Sequence, residues 1–426
     1  MPILEIGGIK VTELANKYKT PLFVYDQNQI EDTLATFVDN FKSEKYPTKI
    51  LYASKAFQTV QMINLIADYG LGLDVVSGGE LFIALKSKIP RDMIYFHGNN
   101  KSPEELELAF QSEIKHIICD NFMELQAISS LSQHYKQEMN IMLRINVAIN
   151  PDTHEFIITS HTDSKFGIAW DSDECKKCLD LLTDHPYLKF EGLHCHIGSQ
   201  IFELEHWRAS IDKLVMYLKT FDEPLALNIG GGFGIKYTDE DQQDEDQPFE
   251  LNLAKSLKLL IKHAEDTLAA QNVTVKEFII EPGRSIVGSA GSTLYTVGYQ
   301  KQTPKKLYYF VDGGMGDNLR PSLYQAKYAC DIANKMDAPK TEKVTVAGKY
   351  CESGDILIQE CMLPVAEQGD ILVTYTTGAY GHAMSNQYNK NVIPGVVFVK
   401  DGVAQEVIRR QTLEDLLYYE VFNEES

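Results

Sequence analysis

Between residues 49 and 284 the chain repeats one pattern eight times: a short run rich in Ile, Leu, Val and Phe, then polar or glycine residues, then an amphipathic helical stretch. The runs cover 50–53, 71–76, 93–96, 116–119, 141–147, 190–194, 225–229 and 277–280. Strands that read as continuous apolar runs are buried on both faces, and their alternation with helices implies a parallel sheet. Eight units over about 235 residues fit an α/β fold built on a closed (β/α)8 barrel of the TIM type. A doubly wound open sheet is the alternative. It does not need eight units, and Gly230-Gly231-Gly232 runs on into Phe233-Gly234-Ile235-Lys236-Tyr237, a poor match to a dinucleotide-binding fingerprint.

Beyond Arg284 the texture changes. Short β-branched and aromatic runs at 292–299, 306–311, 343–347 and 370–375 are bounded by Gly, Pro and Asp, which predicts a mainly antiparallel β domain. Leu22-Phe23-Val24-Tyr25 is a further strand candidate that the amino-terminal stretch lends to it. Single cores stop growing near roughly 250–300 residues, so the 426-residue chain is expected to hold a barrel over 30–285 and a second domain made of 1–29 and 286–426.

A formal net charge of −20 argues against nucleic acid and anionic membranes as partners and favours small metabolites. No apolar stretch approaches the roughly 20 residues of a membrane span, and Met1-Pro2-Ile3-Leu4-Glu5 lacks the basic-then-apolar order of a secretion signal, so a cytoplasmic location is expected. Seven scattered cysteines imply reduced thiols rather than a disulfide framework. Cys175 and Cys178 form a C-x-x-C, but no second pair or nearby histidine completes a zinc site, and 171–182 reads as a helix carrying two incidental thiols. No metal site is expected. The acidic stretch 239–247 reads as a solvated loop.

Chemistry-bearing residues gather directly after the apolar runs, where barrel enzymes build their sites. They are Ser54-Lys55, Ser77-Gly78-Gly79, His97-Gly98-Asn99-Asn100, Asp120-Asn121, Asn150, His196-Ile197-Gly198-Ser199, Gly230-Gly231-Gly232 and Glu281-Pro282-Gly283-Arg284. A strand-end lysine taken alone is most often a solvated charge, but Lys55 can hold an aldehyde as a Schiff base. Its companions complete what pyridoxal phosphate needs. The three glycines after the seventh run and Arg284 after the eighth occupy the usual phosphate positions of barrels, and Ser199 adds a donor. Glu281 can stabilise a protonated pyridine nitrogen, and His196 can stack on the ring. Each has a plainer reading as a tight turn or a locally satisfied side chain; it is their joint order that carries weight.

That order, with Tyr52-Ala53-Ser54-Lys55-Ala56, Gly72-Leu73-Asp74-Val75-Val76-Ser77-Gly78-Gly79-Glu80, Ser164-Lys165-Phe166-Gly167, His194-Cys195-His196, Cys351-Glu352-Ser353 and Gly378-Ala379-Tyr380, resembles the fold-type III pyridoxal-phosphate decarboxylases over nearly the whole chain, and within them the diaminopimelate decarboxylases. The resemblance implies an alanine racemase-like two-domain architecture and a cytoplasmic homodimer with shared active sites. It also implies decarboxylation of meso-2,6-diaminopimelate to L-lysine, the last step of lysine biosynthesis. Position by position it implies Lys55, Cys351, Glu281 and His196 as catalytic residues, Cys351 being the proton donor. Cofactor contacts would come from Lys55, Asp74, His196, Ser199, Gly230, Gly231, Gly232, Glu281, Pro282, Gly283, Arg284 and Tyr380. Substrate contacts would come from Arg284, Arg320, Tyr324, Glu352 and Tyr380, with Cys351 and Glu352 reaching a neighbouring subunit.

Within Asp312-Gly313-Gly314-Met315-Gly316-Asp317-Asn318-Leu319-Arg320-Pro321-Ser322-Leu323-Tyr324, the resemblance assigns Arg320 and Tyr324 to the distal carboxylate of the substrate. A substrate bearing both carboxylate and ammonium at its far end needs a bidentate cation and an acid; ornithine or arginine needs the acid alone. The plain reading of Arg320 is a surface salt bridge. Decarboxylation of ornithine, arginine or carboxynorspermidine on the same fold remains the alternative. A catalytically silent regulator should have lost its lysine or its proton donor, whereas Lys55, Glu281 and Cys351 are all present. An alanine racemase-like activity would leave the Arg320 segment unexplained. After Asn386-Gln387-Tyr388-Asn389 the chain departs from the family pattern, reading Lys390-Asn391-Val392-Ile393-Pro394-Gly395-Val396-Val397 in place of a basic, proline-containing segment, which bears on local packing and subunit contacts.

Overall fold

The computed structural model describes residues 2–149, 164–238 and 252–421. Asn150 and the acidic stretch 239–247 lie outside the described residues. Tertiary contacts divide the chain into two compact units.

One unit comprises Thr33–Ile235 and, among described residues, 252–285. Its eight parallel strands are Thr48–Ala53, Gly72–Val75, Ile94–Phe96, His116–Cys119, Met139–Asn146, Leu188–His194, Leu225–Asn228 and Val275–Ile280. The sheet closes because Val275–Ile280 returns to Thr48–Ala53, and Leu188–His194 bridges Met139–Asn146 to Leu225–Asn228. The eight apolar runs all become strands. Leu51, Tyr95, Ile118, Met142, Ala226 and Ile279 form one buried cluster contributed by six of them, the packed interior expected of such a barrel.

Helix starts are set locally. Thr59, Ser77, Asn121, Ser172 and Asn252 each accept a hydrogen bond from the first turn of the helix they precede, and Ser102 forms a capping box with Glu105. Cys175 and Cys178 lie in the helix Asp173–Asp184, where burial pushes their thiols up to about 11 and 12. They are packing residues. No described helix is long and apolar enough to cross a membrane.

The other unit comprises, among described residues, 2–32, 236–238 and 286–421. Its long strand Gly291–Gln302 pairs antiparallel with Leu22–Asp26, Leu307–Val311 and Ile371–Thr374. Two pairings are parallel: Leu307–Val311 with Glu342–Ala347, and Leu22–Asp26 with Gly395–Lys400. The strand Gly395–Lys400 runs between Leu22–Asp26 and Val403–Ile408, with Val396 and Val397 buried. The segment that departs from the family pattern therefore leads into an interior strand, and its consecutive valines suit burial on both faces.

Candidate active site

Lys55 lies on a single 3-10 turn, Ser54–Ala56, directly after the first barrel strand. Three bonds fix that turn. The Ala53 N–H donates to the Pro282 carbonyl at 3.1 Å, the Ser54 hydroxyl to the Asp74 carbonyl at 2.7 Å, and the Tyr52 hydroxyl to the Phe57 carbonyl at 2.7 Å. Positioned this way, the Lys55 ammonium acts electrostatically on Asp74, Glu80 and His196. The first, second, sixth and eighth strand ends thus converge.

Glu281 is held by three side chains. Asn228 Nδ2 donates to Oε1 at 2.8 Å, His194 Nε2 lies 3.1 Å from Oε2, and His97 Nε2 approaches Oε1 within 3.0 Å. Burial alone would raise the Glu281 carboxyl, but the two histidines outweigh it and hold it well below the usual carboxylate range. Burial lowers His194 to about 4, so at neutral pH it is an uncharged ring donating from Nε2. Asp74, 2% exposed, is pushed up chiefly by burial. Arg144, half-buried, acts on both acids and lies 3.7 Å from Asp120.

His196 accepts a hydrogen bond at Nδ1 from the Gly231 N–H at 3.2 Å, which places its proton on Nε2. Burial, with Lys55 and Arg144 nearby, keeps the ring uncharged. A neutral, fixed imidazole suits stacking on a flat ring.

The glycine turn is more committed than its sequence implies. The Gly230 N–H donates to Asn228 Oδ1 at 2.9 Å and the Gly231 N–H goes to His196, so two of the three amides already have protein acceptors. What demands glycine here is space. Gly230 and Gly232 have φ of +69° and +106°, and a Cβ would stand 2.4 Å from the Cys195 carbonyl oxygen and 2.3 Å from that of Gly198. We expect Gly232→Ala to cost roughly 2–4 kcal/mol of stability, read as a lowered Tm by calorimetry; an unchanged Tm would contradict this account of the turn.

Arg284, buried, donates from Nη2 to Ser199 Oγ at 3.0 Å, joining the sixth and eighth strand ends. The neighbouring Ser285 Oγ and the Asp74 Oδ1 are buried without a hydrogen-bond partner among the described residues. A phosphorylated, polar ring compound would satisfy such atoms, so the residues present fit pyridoxal phosphate.

In the second unit three segments are stitched together. The Lys349 N–H donates to the Gly313 carbonyl, the Met315 N–H to Asp355 Oδ1, Ser322 Oγ to the Gly354 carbonyl, and the Asn386 N–H to the Gly316 carbonyl. Asp317 anchors the first segment from within, accepting from the Tyr295 hydroxyl at 2.8 Å and from the Gly314 N–H; burial raises its carboxyl to about 7. Cys351 and Glu352 are exposed at the second segment. The Cys351 N–H is bound by Asn389 Oδ1, and Glu352 accepts from the Tyr388 hydroxyl. Tyr380 is half-buried with φ +58°, a left-handed conformation that a bulky side chain adopts only under constraint.

Arg320 begins the short helix Arg320–Tyr324, which leaves Tyr324 half-buried at its end. Only 7% of Arg320 is exposed. Its guanidinium lies 4.9 Å from the Tyr237 ring centroid and 5.6 Å from that of Tyr328, and donates to the Tyr328 hydroxyl. Among the described residues no carboxylate pairs with it, so the plain reading as a surface salt bridge is set aside: this is a buried cation between aromatic rings.

Residues 27–288 match the family described as pyridoxal-dependent decarboxylase, pyridoxal binding domain. Across 96% of its length the chain is 44% identical to the diaminopimelate decarboxylase of Bacillus methanolicus, covering 94% of that protein. The chain belongs to the diaminopimelate decarboxylase family. Solved structures agree: the diaminopimelate decarboxylase of M. jannaschii superposes with a TM-score of 0.90 at 31% identity, covering 99% of this chain and 96% of that one. The Helicobacter pylori enzyme complexed with L-lysine gives 0.86 at 32% identity, covering 96% and 99%. As a member of this family the protein is a carboxy-lyase that uses pyridoxal 5'-phosphate.

Sequence reasoning missed Arg144 and the roles of His97, His194 and Asn228 around Glu281. One signal was available for Asn228, a polar residue ending the otherwise apolar run Leu225-Ala226-Leu227-Asn228-Ile229, since a buried amide requires partners.

Proposed function

We propose that this protein decarboxylates meso-2,6-diaminopimelate at its D centre to give L-lysine and CO2, in the cytoplasm and as a homodimer. The observation that carries the substrate is Arg320, a buried guanidinium with aromatic neighbours and, among the described residues, no carboxylate partner, which a distal substrate carboxylate would complete.

Pyridoxal phosphate, when bound, supplies an aldehyde for an amine and a ring that takes up the electron pair left as CO2 departs. Lys55 offers the amine that anchors that aldehyde. Glu281, kept ionised, holds a proton on the pyridine nitrogen, and uncharged His196 offers its flat face without competing for that proton. Ser199, the turn Gly230-Gly231-Gly232, Gly283 and Arg284 hold the phosphate, with Gly230 and Gly231 acting chiefly by leaving room. Asp74, Pro282 and Tyr380 complete the cofactor contacts.

Arg284, Arg320 and Tyr324 bind the distal carboxylate and Glu352 the distal ammonium. Cys351 Sγ delivers the proton to the carbon that has lost CO2. Both Cys351 and Glu352 are exposed in the single chain, which supports their service to a neighbouring subunit.

Purified holoenzyme should release CO2 from meso-diaminopimelate and fail to do so from ornithine, arginine or carboxynorspermidine. Turnover of ornithine without turnover of diaminopimelate would overturn the assignment.

A further inference from the structure

Six of the seven cysteines are buried or half-buried, and only Cys351 is exposed. Among the described residues one thiol pair is in contact: Cys330 and Cys361, with sulfurs 3.6 Å apart. They lie on strands that are not neighbours in a sheet ladder. Cys330, in Cys330–Ile332, stands opposite Thr374, whereas Cys361, in Ile356–Leu363, stands opposite Val344. A bond between them would therefore tie two branches of the sheet that backbone hydrogen bonds leave separate.

We infer that Cys330 and Cys361 form a thiol–disulfide modification site, which a small hydroperoxide oxidises to an intramolecular bond. The sulfurs need to close by about 1.5 Å to reach a disulfide length of about 2.05 Å.

The two thiols are chemically unequal. Cys361 is half-buried, and its hydrogen-bond contact with Cys330, in which either sulfur can donate, together with the nearby Lys340 outweighs burial and Asp331 and lowers its thiol from the ordinary value. Cys330 is buried and its thiol is raised. The greater exposure of Cys361 makes it the sulfur that an oxidant reaches first, with buried Cys330 the resolving partner.

In the first step the Cys361 thiolate attacks one oxygen of hydrogen peroxide. The O–O bond breaks, the departing hydroxide takes up the proton released when the Cys361 thiol ionised and leaves as water, and a sulfenic acid remains. In the second step Cys330 attacks that sulfur. The S–O bond breaks, the oxygen leaves as a second water with the thiol proton, and the S–S bond forms. Two thiols have lost two electrons to one peroxide.

The span enclosed, 331–360, contains Cys351 and Glu352, and Cys330 follows directly on the segment bearing Arg320 and Tyr328. Any effect on turnover rests on the roles proposed above for those residues. The bond itself does not, so peptide mapping and activity separate the two.

The test treats holoenzyme with hydrogen peroxide and maps its peptides without reduction, alongside melting curves of wild type and Cys361→Ser. The expected result is a linked Cys330–Cys361 peptide, lighter by two hydrogens than the two free thiol peptides, and a Tm raised by roughly 5 °C or more. Dithiothreitol should reverse both. Cys361→Ser should give neither, and Cys330→Ala provides a second control if that variant fails to fold. Cys330 and Cys361 recovered as free thiols while Cys351 oxidises would overturn the proposal, as would Cys361 advanced to sulfinic acid beside an unmodified Cys330. So would a linked product with a lowered Tm.

Discussion

Lys55→Ala should abolish useful turnover, lowering kcat for CO2 release by at least roughly 10^3-fold, while leaving Tm nearly unchanged. The turn that presents this lysine is held by Ala53, Ser54 and Tyr52 through bonds that do not involve the Lys55 side chain. Truncation to alanine removes a half-buried ammonium and adds no strain. The ammonium also contributes to keeping His196 uncharged, so its loss relaxes one of several influences on that ring, of which burial is the largest. A second readout is independent of turnover. Borohydride treatment of the loaded wild type should fix the cofactor covalently on the peptide containing Lys55, and in the variant no lysine should take its place. A variant retaining about a tenth of wild-type activity, or a reduced label on another lysine, would remove Lys55 from the chemistry.

The parts of this molecule that were legible in its sequence are those set by short-range patterns. Each barrel strand is an apolar run whose burial on two faces leaves little alternation to misread, and six of the following helices start at a Ser, Thr or Asn that caps them, whereas Leu204–Leu218 starts at Glu203 without a side-chain cap. The candidate site was legible as a set of strand ends, because a closed barrel brings all its carboxyl ends to one face whatever the loop details.

What was not legible depends on pairing between distant residues. Nothing near Gly395–Lys400 announces that it will lie parallel to Leu22–Asp26, and nothing near Leu307–Val311 announces a parallel partner at Glu342–Ala347. The glycine turn shows the same limit at atomic scale. Three consecutive glycines suggest three free amides, but whether an amide is free depends on acceptors elsewhere, here Asn228 and the His196 that the sixth strand delivers. The ionisation of Glu281 follows the same logic. A Glu-Pro-Gly sequence carries no sign of it, because burial raises the carboxyl and chiefly His97 and His194, from the third and sixth strands, reverse the direction.

Arg320→Met should lower kcat/KM for meso-diaminopimelate by roughly 10^2- to 10^3-fold, mainly through KM, with little loss of stability. The distal carboxylate does not react, so its contact is made equally in the ground and transition states, and removing such a contact raises KM more than it lowers kcat. L-Lysine, the product, keeps the same distal carboxylate. Its inhibition constant should rise by the same factor, and the Helicobacter pylori relative complexed with L-lysine shows that the product binds a member of this family. The stability argument runs the other way from the usual one. A buried charged pair loses several kcal/mol when one partner is removed, because the other charge is stranded; here no described carboxylate would be stranded, and the losses are the hydrogen bond to Tyr328 and ring contacts with Tyr237 and Tyr328, each about 1–2 kcal/mol. Methionine fills the same channel between the rings and relieves the burial of a cation that no described carboxylate pairs with, so the two effects oppose. Arg320→Lys should recover only part of the affinity, because a point charge cannot make two parallel bonds to a carboxylate. A large fall in Tm with an unchanged lysine inhibition constant would make Arg320 a structural cation and leave the substrate assignment without its main support.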